Sequence, residues 1–364
     1  MACGDDTRWM EEALSLARQA AGRTSPNPLV GALVVADGRV VGRGFHQRAG
    51  EAHAEVLALR EAGALARGAT VYTTLEPCAH SGRTGPCTDA LLDAGVRRVV
   101  AAMIDPDPQV DGRGIARLRG AGLIVEVGVL EPEARCVNEF YIKHRRTGQP
   151  FVTLKWAMSL DGKIAADRAS ATQITGEDAR RFAHELRDMY DVVLVGVQTV
   201  LSDDPRLTCR LPGGRDPLRV VVDSRLRTPP SARVVTSAAA RALIVTTAAA
   251  PRDRLTALRD AGAEVLVQDQ DGERVRLKPL MADLGRRGVL SVLIEGGGTV
   301  NASALAEGIV DKVIALIAPR IIGGAHAPTP VDGAGVVGPA TVSLRDVRVR
   351  SFGEDLAVEG YVER

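Results

Sequence analysis

Three of the chain's six histidines and two of its five cysteines fall between positions 46 and 87. The core of this cluster is His53-Ala54-Glu55, then Pro77-Cys78, then Pro86-Cys87. One imidazole and two thiolates make three protein ligands, which leaves the fourth tetrahedral position of a zinc ion open. An open position marks catalytic zinc, because it holds water and lowers that water's pKa towards about 7. Glu55 lies two residues after His53, near the expected start of a helix, where it can act as a proton carrier without ligating the metal.

An H-x-E element followed by P-C-x-x-C is the pattern of zinc nucleobase deaminases. This chain departs from it: Cys78 and Cys87 are separated by AHSGRTGP rather than by two residues. A longer loop can supply substrate contacts from His80, Arg83 and Thr84. It can also mean that the two cysteines do not converge and are structural, beside a histidine on a helix. The ordered occurrence of an upstream Pro-Asn-Pro, His-Ala-Glu and two Pro-Cys pairs favours the metal site.

A second set of residues follows position 150. Only five of the 46 basic residues are lysines, so each retained ammonium draws notice. Lys155 falls on an expected strand and Lys163 just beyond a Leu-Asp-Gly turn. VVLVGVQTVLSDDPRLTCR runs from a buried strand into Thr199, Asp203, Asp204, Arg206 and Arg210. Taken alone, two acids beside two arginines describe a solvated, self-paired loop. Glu295-Gly296-Gly297-Gly298 then joins a strand to a helix starting near Val300. Glycines there let backbone N–H groups approach a phosphate, although a purely structural turn is the commoner explanation.

The elements that must hold these residues alternate. A helix is expected at 8–21, a hairpin of strands 29–35 and 39–45 around Asp37-Gly38, a helix at 51–64, a strand at 69–77, a helix at 88–94 and a strand after it. A single helix is expected over 131–146, and Thr147–Pro150 breaks the pattern. Beyond it come strands at 151–157, 191–197, 218–223, 241–247, 263–267, 289–294 and 311–317, with helices at 177–189, 251–261, 277–287 and 300–307. This is the pattern of two α/β domains with mostly parallel sheets, divided between 146 and 151. The length of 364 residues suits two domains. A net charge of +1 and only 3% aromatics argue against a nucleic-acid surface. The acids near the start and the lack of a long apolar run argue against a leader peptide or membrane span, and the sparse odd cysteines against a disulfide framework. A cytoplasmic protein is expected.

TSPNPLVG, GFH, HAE and LEPCAHSGRTGPC resemble the deaminase half of the bifunctional riboflavin-biosynthesis enzymes, in which the long inter-cysteine loop is normal. LKWAMSLDGKIA, LVGVQTVLSDDPRLTCR, RVVVDS, IEGGG and IAPRIIGG resemble the reductase half of the same family. The resemblance covers about residues 20–364. It implies an N-terminal cytidine-deaminase-like three-layer α/β/α domain and a C-terminal dihydrofolate-reductase-like α/β domain. It implies a diaminohydroxyphosphoribosylaminopyrimidine deaminase and a 5-amino-6-(5-phosphoribosylamino)uracil reductase, using zinc and NADPH, in a homo-oligomer. By that resemblance His53, Cys78 and Cys87 are zinc ligands, Glu55 carries the proton, and Asn27, His46, His80 and Arg83 touch the substrate. NADPH falls to Ala157, Gln173, Thr199, Asp203, Ser224, Gly297, Gly298 and Thr299. The second substrate falls to Ala171, Arg187, Leu207, Arg210 and Glu295, with Lys155 and Asp203 catalytic. Where the family carries Ser-x-Trp-Ile-Thr, this chain reads Ala171-Thr172-Gln173-Ile174-Thr175.

Two other readings use the same residues. One is a zinc deaminase acting on a nucleic-acid base, its second domain a binding module. The other is a single-activity relative whose second half only scaffolds the assembly.

Overall fold

The structure, a computed structural model, describes residues 3–79, 85–167, 173–237, 241–268, 274–333, 335 and 341–363. Its contacts divide the chain into two compact units, Met1–Gln149 and Pro150–Arg364.

The first unit runs α1 (Cys3–Arg18), β1 (Gly31–Ala36), β2 (Arg39–Phe45), α2 (Ala54–Ala62), β3 (Thr70–Thr73), α3 (Cys87–Asp93), β4 (Arg98–Ala101), α4 (Arg113–Gly120), β5 (Ile124–Val127), α5 (Glu131–Val137) and α6 (Glu139–Thr147). Its sheet has the order β2-β1-β3-β4-β5. β1 is antiparallel to both β2 and β3, whereas β3, β4 and β5 are parallel, so the sheet is mixed rather than mostly parallel. The hairpin turn at Asp37-Gly38 has both residues at positive φ, 48° and 71°, which matches the twist of the flanking strands.

Two separate apolar clusters lie on the sheet's two faces and make the unit three-layered. One gathers Ala54, Ala58, Leu59, Leu91, Ile115 and Leu118 from α2, α3 and α4 against Val34, Val71 and Val99. The other packs Met10, Ala13 and Leu14 of α1 and Ala134 of α5 against Leu33, Tyr72 and Val100. The layers touch very closely at α2. A Cβ on Gly44 would stand 2.2 Å from the Ala54 carbonyl oxygen, and one on Gly42 2.1 Å from that of Ala58. The helix expected over 131–146 is in fact two, broken at Asn138 (φ −108°, ψ 21°), whose side chain exchanges hydrogen bonds with the Leu29 backbone instead of continuing the helix. The strand expected over 69–77 stops at Thr73, because the chain must leave the sheet to deliver Cys78.

The second unit runs β6 (Phe151–Ser159), α7 (Glu177–Met189), β7 (Val192–Gly196), α8 (Val197–Asp203), β8 (Leu218–Val222), α9 (Arg233–Thr236), β9 (Ala242–Thr247), α10 (Arg252–Asp260), β10 (Glu264–Gln268), α11 (Leu277–Arg286), β11 (Ser291–Ile294), α12 (Gly298–Ala306), β12 (Lys312–Ala318), β13 (Leu344–Phe352) and β14 (Asp355–Val362). The sheet order is β10-β9-β8-β7-β11-β6-β12-β14-β13. Strands β10 through β12 pair in parallel, while β14 is antiparallel to β12 and to β13. Every residue of β7 and β9 is buried, as expected for strands covered on both faces. Residues of α11 and α12 close one face over Leu154, Leu194, Val220 and Leu243.

Two features differ from expectation. VQTVLSD forms a helix, α8, where a loop is expected after the strand ending at 197. The hairpin β13–β14 has no counterpart among the expected elements. Its outer strand is exposed along most of its length and slips register between Arg345 and Arg348, around Asp346 at φ 52°. A strand with no buried face carries no apolar alternation to find.

The contact between α2 and β2 yields a test. Gly44→Ala forces α2 outward, and the expected cost is about 1–3 kcal/mol of stability. Urea unfolding measures it; an unchanged midpoint would show that the helix has room to spare.

Candidate active sites

The β1–β2 hairpin brings together residues at its open end. His46 follows β2, and its backbone N–H donates to the Val30 carbonyl, extending the pairing. Asn27, before β1, lies 3.1 Å from His46 Nε2 through its amide nitrogen. His46 Nδ1 lies 3.2 Å from the Ala52 carbonyl oxygen. That carbonyl can only accept, so Nδ1 carries the proton and Nε2 accepts from Asn27. Burial pushes the pKa of His46 down, which keeps the ring neutral. The ring stands edge-on to that of His53, with centroids 5.6 Å apart.

His53 is the residue before α2, Cys78 follows β3, and Cys87 opens α3. Their ligand atoms all lie within 4.8 Å of one another. His53 Nδ1 is 3.1 Å from Cys87 Sγ and 3.6 Å from Cys78 Sγ, and the Cys87 backbone N–H donates to Cys78 Sγ at 3.4 Å. The hydrogen bond from Cys87 is the chief cause that pushes Cys78 down to about 4, so this sulfur is a thiolate, while Cys87 shifts upward. Glu55 Oε2 lies 3.4 Å from Cys87 Sγ. Its side chain is buried, and burial raises its pKa, as suits a group that must take up and release a proton. One nitrogen and two sulfurs with a carboxylate alongside are a donor set that fits zinc and leaves a coordination position open.

Glu76 does work that the sequence analysis does not assign to it. Its carboxylate accepts from the backbone N–H groups of Asp105, Gly112, Gly114 and Ile115 at 2.8–3.2 Å. The loop before α4 is thereby tied to the segment that delivers Cys78. An acid inside the β-rich run TVYTTLEP was the available signal.

In the second unit a cavity of about 890 Å³ opens at the C-terminal ends of β7, β8 and β11. That is near the top of the roughly 300–1,000 Å³ range of small-molecule and cofactor sites. Gln173, Thr199, Asp203, Ser224, Gly297, Gly298 and Thr299 all line it; Ala157, on β6, does not. Gly297 has φ 87° and caps α12, and Gly298, Thr299 and Val300 of that helix's first turn line the cavity, where a helix N-terminus favours an anion. The buried Oδ1 of Asp223 on its wall has no partner among the described residues. These features fit a dinucleotide.

A second pocket of about 360 Å³ is lined by Arg187, Leu207, Arg210, Arg206 and Arg233, and also by Asp203, which thus stands on a wall common to both. Beside it, Glu295 accepts two hydrogen bonds from Arg187, at 2.6 and 2.9 Å, and lies 3.5 Å from Lys155 Nζ. Burial works to raise the Glu295 pKa, but Arg187 and then Lys155 overcome it and hold the carboxyl down to about 2. The Arg210 Nε donates to His184 Nε2 at 3.0 Å. Burial, then the charges of Arg187 and Arg210, push His184 down to about 4, so it accepts as a neutral ring. His184 carries no sequence signal, since it lies on an ordinary amphipathic helix. The self-paired loop reading does not hold for Asp204, whose partner is Arg233 rather than either neighbouring arginine, nor for Arg210, which donates to His184. His80, Arg83 and Ala171 lie outside the described residues.

A metal-binding deaminase unit followed by a nucleotide-binding reductase unit defines a two-activity enzyme. The profile of the cytidine and deoxycytidylate deaminase zinc-binding region matches residues 4–103, and that of the RibD C-terminal domain matches 150–358. The chain is 41% identical to riboflavin biosynthesis protein RibD of Aquifex aeolicus over 97% of both chains. It is 44% identical to that of Synechocystis, covering 98% of this chain and 96% of the relative. A solved RibD of Acinetobacter baumannii superposes with a TM-score of 0.89 at 35% identity, covering 99% of each chain. The deaminase/reductase of Thermotoga maritima gives 0.87 at 34%, covering 100% of each. The chain belongs to the RibD family of riboflavin-biosynthesis enzymes. It is a deaminase that depends on zinc, joined to a reductase.

Glu295→Gln leaves Arg187 and Lys155 buried without their counter-charge, at an expected cost of about 3–5 kcal/mol near neutral pH. Because the folded carboxyl is depressed from 4.5 to about 2, its contribution is present above pH 4.5 and is lost as pH falls towards 2. The stability gap between wild type and variant, measured in urea, should shrink across that window; a gap independent of pH would mean that Glu295 acts by shape alone.

Proposed function

We propose that the unit Met1–Gln149 deaminates 2,5-diamino-6-(5-phosphoribosylamino)pyrimidinone. The unit Pro150–Arg364 then reduces the ribosyl chain of 5-amino-6-(5-phosphoribosylamino)uracil to the ribityl form. The observation that carries the reading is the convergence of His53, Cys78 and Cys87 beside the buried carboxyl of Glu55.

His53 Nδ1 and the two sulfurs would hold the metal. Zinc supplies a Lewis acid that makes water a nucleophile near neutral pH. Water adds at the amino-bearing carbon, the C–N bond breaks and ammonia leaves. Glu55 carries a proton from the attacking oxygen to the departing nitrogen, and its burial keeps it able to hold that proton. Asn27, its amide N–H engaged by His46, keeps its carbonyl oxygen as an acceptor for an N–H on the pyrimidine edge. His80 and Arg83 complete the substrate contacts.

In the second unit, Gln173, Thr199, Ser224 and the 297–299 turn hold NADPH, which supplies the hydride. Arg187 and Arg210 pair with the substrate phosphate, and Leu207 and Ala171 line the substrate's path. Asp203 positions cofactor and substrate from the wall that both share. Lys155, held by Glu295, would give a proton to the ribose ring oxygen as its bond to the anomeric carbon opens and that carbon gains the hydride. Ala157 lies two residues further along the same strand, outside the lining of the cavity.

The thiolate pair requires a reducing compartment, which favours the cytoplasm. A homo-oligomer is favoured by the exposed Val347 and Val349 on the edge strand β13.

Purified protein given the un-deaminated substrate should consume NADPH, a signal that needs both activities. Glu55→Gln should lose ammonia release by a factor of at least about 100 with zinc content intact. Asp203→Asn should slow reduction and leave deamination unchanged. Normal ammonia release by Glu55→Gln would remove that residue's role, and NADPH oxidation absent despite ammonia would confine the fault to the second unit.

A further inference from the structure

Helix α7 is tied to the segment that follows α8 at three points. Arg187 Nη1 donates to the Thr208 carbonyl at 3.2 Å, Cys209 Sγ donates to the His184 carbonyl at 3.5 Å, and Arg210 Nε donates to His184 Nε2 at 3.0 Å. His184 and Arg187 stand one turn apart on α7 and so share a face. The segment they hold bends at Asp204 and Leu207, both at positive φ, 39° and 55°, and Leu207 is buried. Arg219, fully buried, secures it again by donating from Nη1 to the Arg206 carbonyl at 3.4 Å.

Four arginines line the smaller pocket, Arg187, Arg206, Arg210 and Arg233, and their charges are placed differently. Arg187 gives Nε and Nη2 to Glu295, and Arg233 gives Nε to Asp204, so both are paired with carboxylates. Arg206 and Arg210 have no carboxylate partner among the described residues, and of these two only Arg210 has its side chain held. A guanidinium N–H can only donate, so His184 Nε2 accepts and carries no proton. Burial, then the charges of Arg187 and Arg210, act in the same direction on that ring. The charge of Arg210 is therefore directed but not cancelled. A carboxylate in the place of His184 would hold the side chain as well but would compete for it with any anion in the pocket. The Nη1 and Nη2 donors stay available, and an arginine already held loses less rotamer freedom when a ligand fixes it.

We infer that His184 is a positioning residue of the second reaction: by accepting from Nε it holds Arg210 for the substrate's phosphate without neutralising it. The inference rests on the reading of Arg210 as a phosphate contact and deepens it. His184 is not on the pocket's lining, so it acts through Arg210 and governs capture of the substrate rather than the hydride step.

Calorimetric titration of the full-length protein with ribose 5-phosphate tests this without turnover. His184→Leu should weaken binding about tenfold, whereas His184→Gln, whose Oε1 can accept from Nε, should stay within about threefold of wild type. Arg210→Gln should weaken binding by about thirtyfold, as expected for a charge-assisted contact. In that background His184→Leu should add less than about twofold, because the group it positions is gone; a residue that only braced the helix would keep its full effect there. With NADPH saturating, His184→Leu should raise KM for 5-amino-6-(5-phosphoribosylamino)uracil about tenfold and change kcat by less than about twofold. Unchanged binding by His184→Leu, an equal loss in His184→Gln, or an undiminished effect in the Arg210→Gln background overturns the inference. So does a loss of NADPH affinity in His184→Leu, which would make the residue a brace of the whole unit. If wild type does not bind ribose 5-phosphate, or Arg210→Gln binds it as wild type does, Arg210 is not the phosphate contact and both readings fall. If Arg210→Gln weakens binding and His184→Leu does not, only the positioning role falls.

Discussion

Helix α2 lies so close to β2 that no Cβ fits between them, and the deaminase site depends on this approach. Gly42 and Gly44 present bare backbone to Ala54, Ala58 and Ala62, residues too small to hold the helix away. The first turn of α2 is thereby fixed against the end of the hairpin, with His53 at its threshold and Glu55 pressed into the interior. A larger side chain on either surface would carry both functional groups outward together. The burial that shifts Glu55 upward is a product of the same contact, so geometry and proton affinity are set by one packing decision. The cysteines arrive independently, Cys78 on the segment tied down by Glu76 and Cys87 on the first residue of α3.

The second unit solves a different problem. Its parallel strands end together, and the loops leaving β7, β8 and β11 enclose the cavity at those ends. Ligands of open parallel sheets gather where neighbouring connections run in opposite directions. Here the chain steps outward from β7 to β10 and then returns to insert β11 between β7 and β6. The Gly-rich turn after β11 falls at that return. It faces Thr199 on α8: a Cβ added to Gly296 or Gly297 would stand 3.8 or 3.6 Å from the Thr199 hydroxyl oxygen. The same helix ends at Asp203, on the wall common to both pockets, so a seven-residue helix carries contacts to each.

Much of this was legible in the sequence because the residues concerned are constrained by local chemistry. His53, Glu55, Cys78 and Cys87 declare themselves by type, and the hairpin at Asp37-Gly38 by its turn residues. The strands of the second unit read as buried apolar runs, and α7 falls at 177–189 as its periodicity requires. What escaped the sequence depends on partners distant along the chain. Glu76 is explained only by N–H groups up to 39 residues away. Asn138 breaks a helix because of Leu29, 109 residues earlier. α8 hides because VQTV continues the β-branched run of β7, and the turn into the helix at Gly196 is set by tertiary packing.

The two buried glutamates show how one residue type serves opposite ends. Glu55 has a neutralisable neighbourhood of imidazole and thiol, and burial is the dominant influence on it, so its charge is easily given up. Glu295 is just as deeply buried but is clamped by Arg187 through two parallel hydrogen bonds and approached by Lys155, so its charge is permanent. A carboxyl that stays ionised cannot carry protons, but it can hold two cations beside the second pocket. The division between those cations follows their shapes. The planar guanidinium of Arg187 spends its fork on Glu295, whereas the ammonium of Lys155 touches the carboxylate at one point and keeps donors to spare. In a chain whose basic residues are nearly all arginine, position 155 carries a compact ammonium rather than a planar fork.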